Sequence, residues 1–89
     1  MQTIKNTMNL IIKSYDNKNF QQFIKELLTL REEIIKFDPE DLDPSLVDFN
    51  MDENMYDWTI SGIGREPTKY DWEAAEIITA NLRDISVNL

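Results

Sequence analysis

The chain contains no cysteine and no histidine. The first absence removes a disulfide framework, a thiolate metal site and a cysteine nucleophile together. The second removes the usual general base and the commonest metal ligand. Glycine occurs twice and proline three times, so few breakers interrupt the chain and long helices are favoured over a many-turned β fold. No apolar run approaches the roughly 18 residues of a membrane-spanning helix. The start, Met1-Gln2-Thr3-Ile4-Lys5-Asn6, lacks the charged-then-apolar layout of a secretory signal. The expectation is a cytoplasmic protein with no membrane contact and no cofactor.

Cationic residues are also missing from one long stretch. Between Phe37 and Gly64 there is no Lys or Arg, while eight carboxylates stand there. From Met1 to Phe37 six basic residues face four acidic ones, a balance of +2. From Asp38 to Leu89 three basic residues face thirteen acidic ones, a balance of −10. A field of one sign repels nucleic acid and anionic lipid and attracts cationic surfaces. No direct nucleic-acid binding is therefore expected, and a basic protein is the expected partner.

What remains suffices for one core. With 89 residues, 42% of them apolar, the chain is a single domain spanning 1–89; at this size folding hides roughly 60 to 65% of the unfolded surface. Ile4, Met8, Ile11 and Tyr15 recur at helical spacing, with Thr3 as a possible cap. Ser14-Tyr15-Asp16-Asn17 reads as a helix–helix corner. Phe20, Phe23, Ile24, Leu27, Leu28, Leu30, Ile34, Ile35 and Phe37 then predict a long amphipathic helix, stopped by Asp38-Pro39.

Asp43-Pro44 suits the opening of a third helix, from about Pro44 to Trp58, burying Leu46 or Val47, Met51, Met55 and Trp58. Thr59 to Gly64 reads as a loop or short extended piece. Thr68-Lys69-Tyr70-Asp71 has the pattern of a capping box for a helix running to about Arg83, with Tyr70, Ala74, Ile77 or Ile78, and Leu82 inward. Residues 84–89 are expected to fray or to form a short strand. The predicted architecture is all-α, a small antiparallel four-helix bundle.

Catalysis would have to rest on carboxylates or on Ser, Thr and Tyr hydroxyls. A carboxylate pair can hydrolyse a glycoside, but a domain this small has no room for a deep cleft, and no enzyme is expected. Asp48-Phe49-Asn50-Met51-Asp52 imitates the start of a calcium loop. Its sixth position is Glu53 where glycine is needed, and its twelfth is Thr59 where a bidentate Glu is needed, so no metal site is expected. An acidic run can be nothing more than a solvated helix face. Here the charges lack local compensation, and Tyr56 and Trp58 flank Asp57, as interface aromatics do. Trp58 and Trp72 each also suit a core position.

Several segments are similar to the bacteriocin immunity proteins, in particular the colicin D immunity type. They are Leu10-Ile11-Ile12-Lys13, Asn19-Phe20-Gln21-Gln22-Phe23, Leu30-Arg31-Glu32, Asp41-Leu42-Asp43-Pro44-Ser45-Leu46 and Tyr70-Asp71-Trp72-Glu73-Ala74-Ala75-Glu76-Ile77. The corner Tyr15-Asp16-Asn17-Lys18-Asn19-Phe20 also resembles that of the immunity proteins that inhibit DNase colicins, although their Tyr-Tyr-Pro element is missing. The resemblance implies an acidic four-helix inhibitor that covers the basic cleft of a nuclease toxin, with carboxylates standing in for phosphates.

The residues expected to contact the partner are Asp41, Asp43, Asp48, Asp52, Glu53, Asp57 and Glu66 for charge pairing, and Tyr56, with Trp58 where exposed, as anchor. The chain is expected to be a monomer or weak dimer. Two other readings stay open: a phage-type acidic decoy of a host DNA-binding or defence enzyme, and an adaptor bundle whose acidity serves solubility.

Overall fold

The computed structural model describes residues 2–49 and 53–89, and among them there are five α-helices and no strand. The chain is all-α, as its periodicity predicts. Helix α1 spans Gln2–Asp16 and buries Ile4, Thr7, Met8, Ile11 and Ser14 along one stripe. Its buried hydroxyls find partners: Thr7 Oγ1 lies within hydrogen-bond reach of the Glu33 carboxylate and of the Thr3 carbonyl (3.1 Å), and Ser14 Oγ donates to the Leu10 carbonyl (2.8 Å). Thr3 is therefore inside the first turn and does not cap it.

At the corner, Lys18 takes a left-handed φ of 57°. Asn19 then caps α2, which spans Phe20–Ile35, by accepting from the Gln22 amide (3.2 Å). Phe20, Phe23, Ile24, Leu27, Leu30 and Ile34 are buried on α2, which packs against both α1 and α4. The helix ends two residues before Phe37. Asp38 caps a 3-10 turn, Pro39–Asp41, and Leu42 turns inward to pin the connector. Asp43 accepts from the Ser45 amide (2.9 Å) and hydroxyl, opening α3 (Pro44–Phe49) with proline in its first position. Leu46 is the buried member of its pair with Val47.

The single helix predicted from Pro44 to Trp58 is described as two, α3 and α4 (Glu53–Ser61). Met51, expected in the core, lies outside the described residues. Helix α4 continues through Thr59, Ile60 and Ser61, which were expected in a loop. Thr59 is fully buried, and its hydroxyl returns to the Met55 carbonyl (2.7 Å), which lets the helix carry it inward. Gln21 fastens the following loop: its Nε2 donates to the carbonyls of Gly62 (3.0 Å) and Arg65 (2.9 Å), and its Oε1 accepts from the Gly64 amide (2.8 Å).

Helix α5 spans Lys69–Val87 and opens with the capping box of Thr68 and Asp71. It runs four residues past Arg83, so most of the predicted frayed end is helix. Its buried stripe is Asp71, Ala75, Thr79, Leu82 and Ile85. Tyr70, expected inward, is 78% exposed; of Ile77 and Ile78, either of which was expected inward, Ile77 is 71% exposed and Ile78 packs against the core. The cap sets this phase, because Asp71 must turn back towards Thr68 and carries the next turns inward with it. Helix α5 is antiparallel to α1: Lys5 Nζ reaches the Leu89 carbonyl (3.3 Å), while Arg83 pairs with Asp16 (2.6 Å) and Trp72 meets Tyr15 edge-on at 6.0 Å.

Candidate partner-binding face

The acidic segment begins at the C-terminal end of α2. Asp41 is exposed in the 3-10 turn, and Asp48 is exposed near the end of α3. Asp43 is half-buried as the cap of α3, and the Ser45 hydroxyl and amide together hold its carboxyl below the usual carboxylate range. Glu53 and Asp57 are exposed on α4, and Glu66 is exposed in the loop before α5. Asp52 lies outside the described residues. Tyr56 is half-buried, with the Arg31 guanidinium 4.3 Å from its ring centre.

Among the described residues the ion pairs are Arg65–Asp71 and Arg83–Asp16, both at 2.6 Å. No described carboxylate of the 38–57 segment pairs with Lys or Arg, and neither does Glu66. Arg31 approaches the segment, but it is spent on the Tyr56 ring. The charge asymmetry of the sequence thus survives folding as uncompensated surface carboxylate.

Glu40 and Asp48 come together around a hollow of about 390 Å³ shared with Pro39, Leu42, Pro44 and Val47. A second hollow of about 250 Å³ adjoins it through Pro39, Leu42 and Val47, and is completed by Ile34, Ile35 and Phe37. Glu66 stands elsewhere, beside Lys18, Asn19, Gln21 and Arg65 in a polar hollow at the α1–α2 corner. The eight described residues expected at a contact therefore fall into more than one group.

Trp58 is half-buried, and its indole N–H is committed inside, to Asp71 Oδ1 at 2.9 Å. Sequence reasoning missed this centre. Asp71 is 5% exposed and also accepts from Arg65 Nη1 (2.6 Å), Arg65 Nη2 (3.1 Å) and the Thr68 amide (2.7 Å). Arg65 is the main reason the Asp71 carboxyl lies far below the usual carboxylate range; Asp71 in turn raises the guanidinium of Arg65. The capping-box spacing signalled Asp71, but nothing in the local pattern tied it to Arg65 or Trp58.

Among the described residues no three carboxylates gather as metal ligands would. Asp48 lies in α3, and Glu53 and Thr59 lie in α4, so the first, sixth and twelfth positions of the imitated calcium loop are helical. Compared with protein families, curated proteins and solved structures, the chain matches none significantly.

Proposed function

We propose that this chain is an acidic inhibitor of the immunity-protein type, which binds and blocks the basic active-site cleft of a nuclease toxin. The observation that supports this most is the set of carboxylates in the 38–57 segment, none of whose described members is paired with a cation. Uncompensated like charges destabilise a small fold through mutual repulsion, so their retention in one segment fits a surface that another molecule completes. A nuclease must present Lys and Arg to hold phosphate, and a carboxylate surface competes for that same field. Attraction at long range lifts association towards roughly 10⁸ M⁻¹s⁻¹ at low salt and fades as salt rises.

In this reading the helices form an antiparallel four-helix bundle, α3 and α4 together making its third arm. Asp41, Asp43, Asp48, Glu53 and Asp57 steer the partner, and Tyr56, stiffened by Arg31, is the anchor. Trp58 holds the bundle together from inside.

The test is a pull-down with the full chain at low and then high salt, followed by assay of the recovered protein for nuclease activity with and without added chain. A salt-released basic nuclease, silenced by stoichiometric chain, is the expected result. Recovery of a host DNA-binding enzyme would favour the decoy reading instead. Binding that ignores both salt and reversal of Asp41, Asp48 and Asp57 to Lys would sink both.

A further inference from the structure

We propose that the groove between the end of α2 and α3 is where the partner docks, and that it receives a basic amphipathic segment of that protein. One or two apolar side chains of the segment sit on Ile35, Phe37 and Val47, while flanking Lys or Arg meet Glu40 and Asp48. The proposal rests on the inhibitor reading for the positive sign of the partner.

Ile35, Phe37 and Val47 are 56%, 38% and 39% exposed, over a floor of buried Ile34 and Leu42. Six apolar residues make the inner hollow, with no polar side chain among them. A small-molecule site would need a few converging polar groups to orient its ligand, and none is supplied here. The outer hollow brings in the two carboxylates. Lys36 is exposed beside Ile35 in sequence, yet lines neither hollow. An apolar strip with an acidic rim is complementary to a segment that alternates aliphatic and cationic side chains.

A second copy of the chain fits poorly. A two-fold contact through this groove would set Glu40 and Asp48 against their own equivalents in a molecule of net charge −8. Another apolar hollow, on α4 and α5, is lined by Asn54, Met55, Trp58, Ala74, Ile77 and Ile78 and has no carboxylate in its wall. It supplies the control.

The test uses the isotope-labelled full chain and a lysine–leucine peptide with leucine at helical spacing. Backbone amide shifts are expected to cluster at 34–48. Replacing the peptide's leucines by serine, or the chain's Ile35 and Val47 by Ser, should each weaken binding roughly tenfold. Glu40→Gln with Asp48→Asn should weaken it and flatten its salt dependence, and Ile77→Ser should change nothing. Because Ile35 and Val47 are exposed, the variants should melt like the parent.

Equal binding of the serine peptide, or shifts spread over every carboxylate, would overturn the proposal. So would sedimentation showing a dimer that I35S/V47S abolishes. If a recovered nuclease is still silenced fully by I35S/V47S, the groove fails and the inhibitor reading stands. If no basic partner is recovered at low salt while the peptide maps to 34–48, the groove stands and the inhibitor reading falls.

Discussion

Trp58 on α4 donates its indole N–H across 2.9 Å to Asp71 in the first turn of α5. The same carboxylate takes both Arg65 nitrogens and the Thr68 amide, so one side chain ties a helix, a loop and a helix cap together. The ring of Trp58 meets Phe20 at 6.2 Å, and Phe20 meets Trp72 at 5.6 Å, both edge-on. Orientation of the indole thus passes from a polar centre into the aromatic part of the core.

Replacing Asp71 with Asn should destabilise the fold by about 2 kcal/mol, because an amide turns one acceptor into a donor facing the Thr68 amide or Arg65. Trp58→Phe should cost less, about 1 kcal/mol for the lost hydrogen bond, plus some packing. The double variant should cost less than the two together, since losing the carboxylate charge weakens the same hydrogen bond that Trp58→Phe removes. Urea unfolding of the four proteins checks this. Additive losses would mean that the Trp58 hydrogen bond does not depend on the carboxylate's charge.

Acid should expose the same centre. Asp71 is held below its unfolded value, about 3.9, chiefly by Arg65. Its contribution is therefore fully present above about pH 4 and is lost as pH falls towards the folded value. Urea midpoints measured from neutral pH downward should drop more steeply below about pH 4 in the parent than in Asp71→Asn. Parallel curves would assign the acid sensitivity to other carboxylates.

Much of this fold is legible in local pattern. The stripes of α1 and α2, the stop at Asp38-Pro39, the opening at Asp43-Pro44 and the Thr68–Asp71 box all depend on residues within a turn or two of one another. The phase of α5 does not. Periodicity assigns Tyr70, and Ile77 or Ile78, to the core because they are apolar; Ile78 does pack there, but Tyr70 is exposed and the buried positions include Asp71 and Thr79. A buried carboxylate is tolerable only with partners such as Arg65 and Trp58, which come from elsewhere in the chain.

The groove was hidden for a related reason. Ile35 and Phe37 count towards the α2 pattern, yet whether they are covered depends on how the 38–43 connector returns. The charge asymmetry could be read directly, but its lack of pairing could not, because Arg31 and Arg83 find their partners only in three dimensions.

Thr79 offers a stabilising change. Its side chain is 1% exposed on α5, and its hydroxyl, among the described residues, is buried without a hydrogen-bond partner. Valine has nearly the same shape and no hydroxyl to desolvate. Thr79→Val should therefore raise stability by about 1 kcal/mol, read as a higher melting temperature. A loss on substitution would mean that the hydroxyl bonds back within its own helix in solution.

Asp43 lets charge be separated from structure in the acidic segment. Its carboxylate caps α3 through the Ser45 amide and also adds to the negative surface. Asparagine caps as well as aspartate, whereas alanine does not. Asp43→Asn should therefore melt like the parent, and Asp43→Ala should melt lower. If the carboxylate steers a basic partner, both variants should slow association at low salt by the same factor, and the difference from the parent should shrink as salt rises. A slower rate for the alanine variant alone would trace the effect to the seating of α3, and Asp43 would leave the set of steering residues.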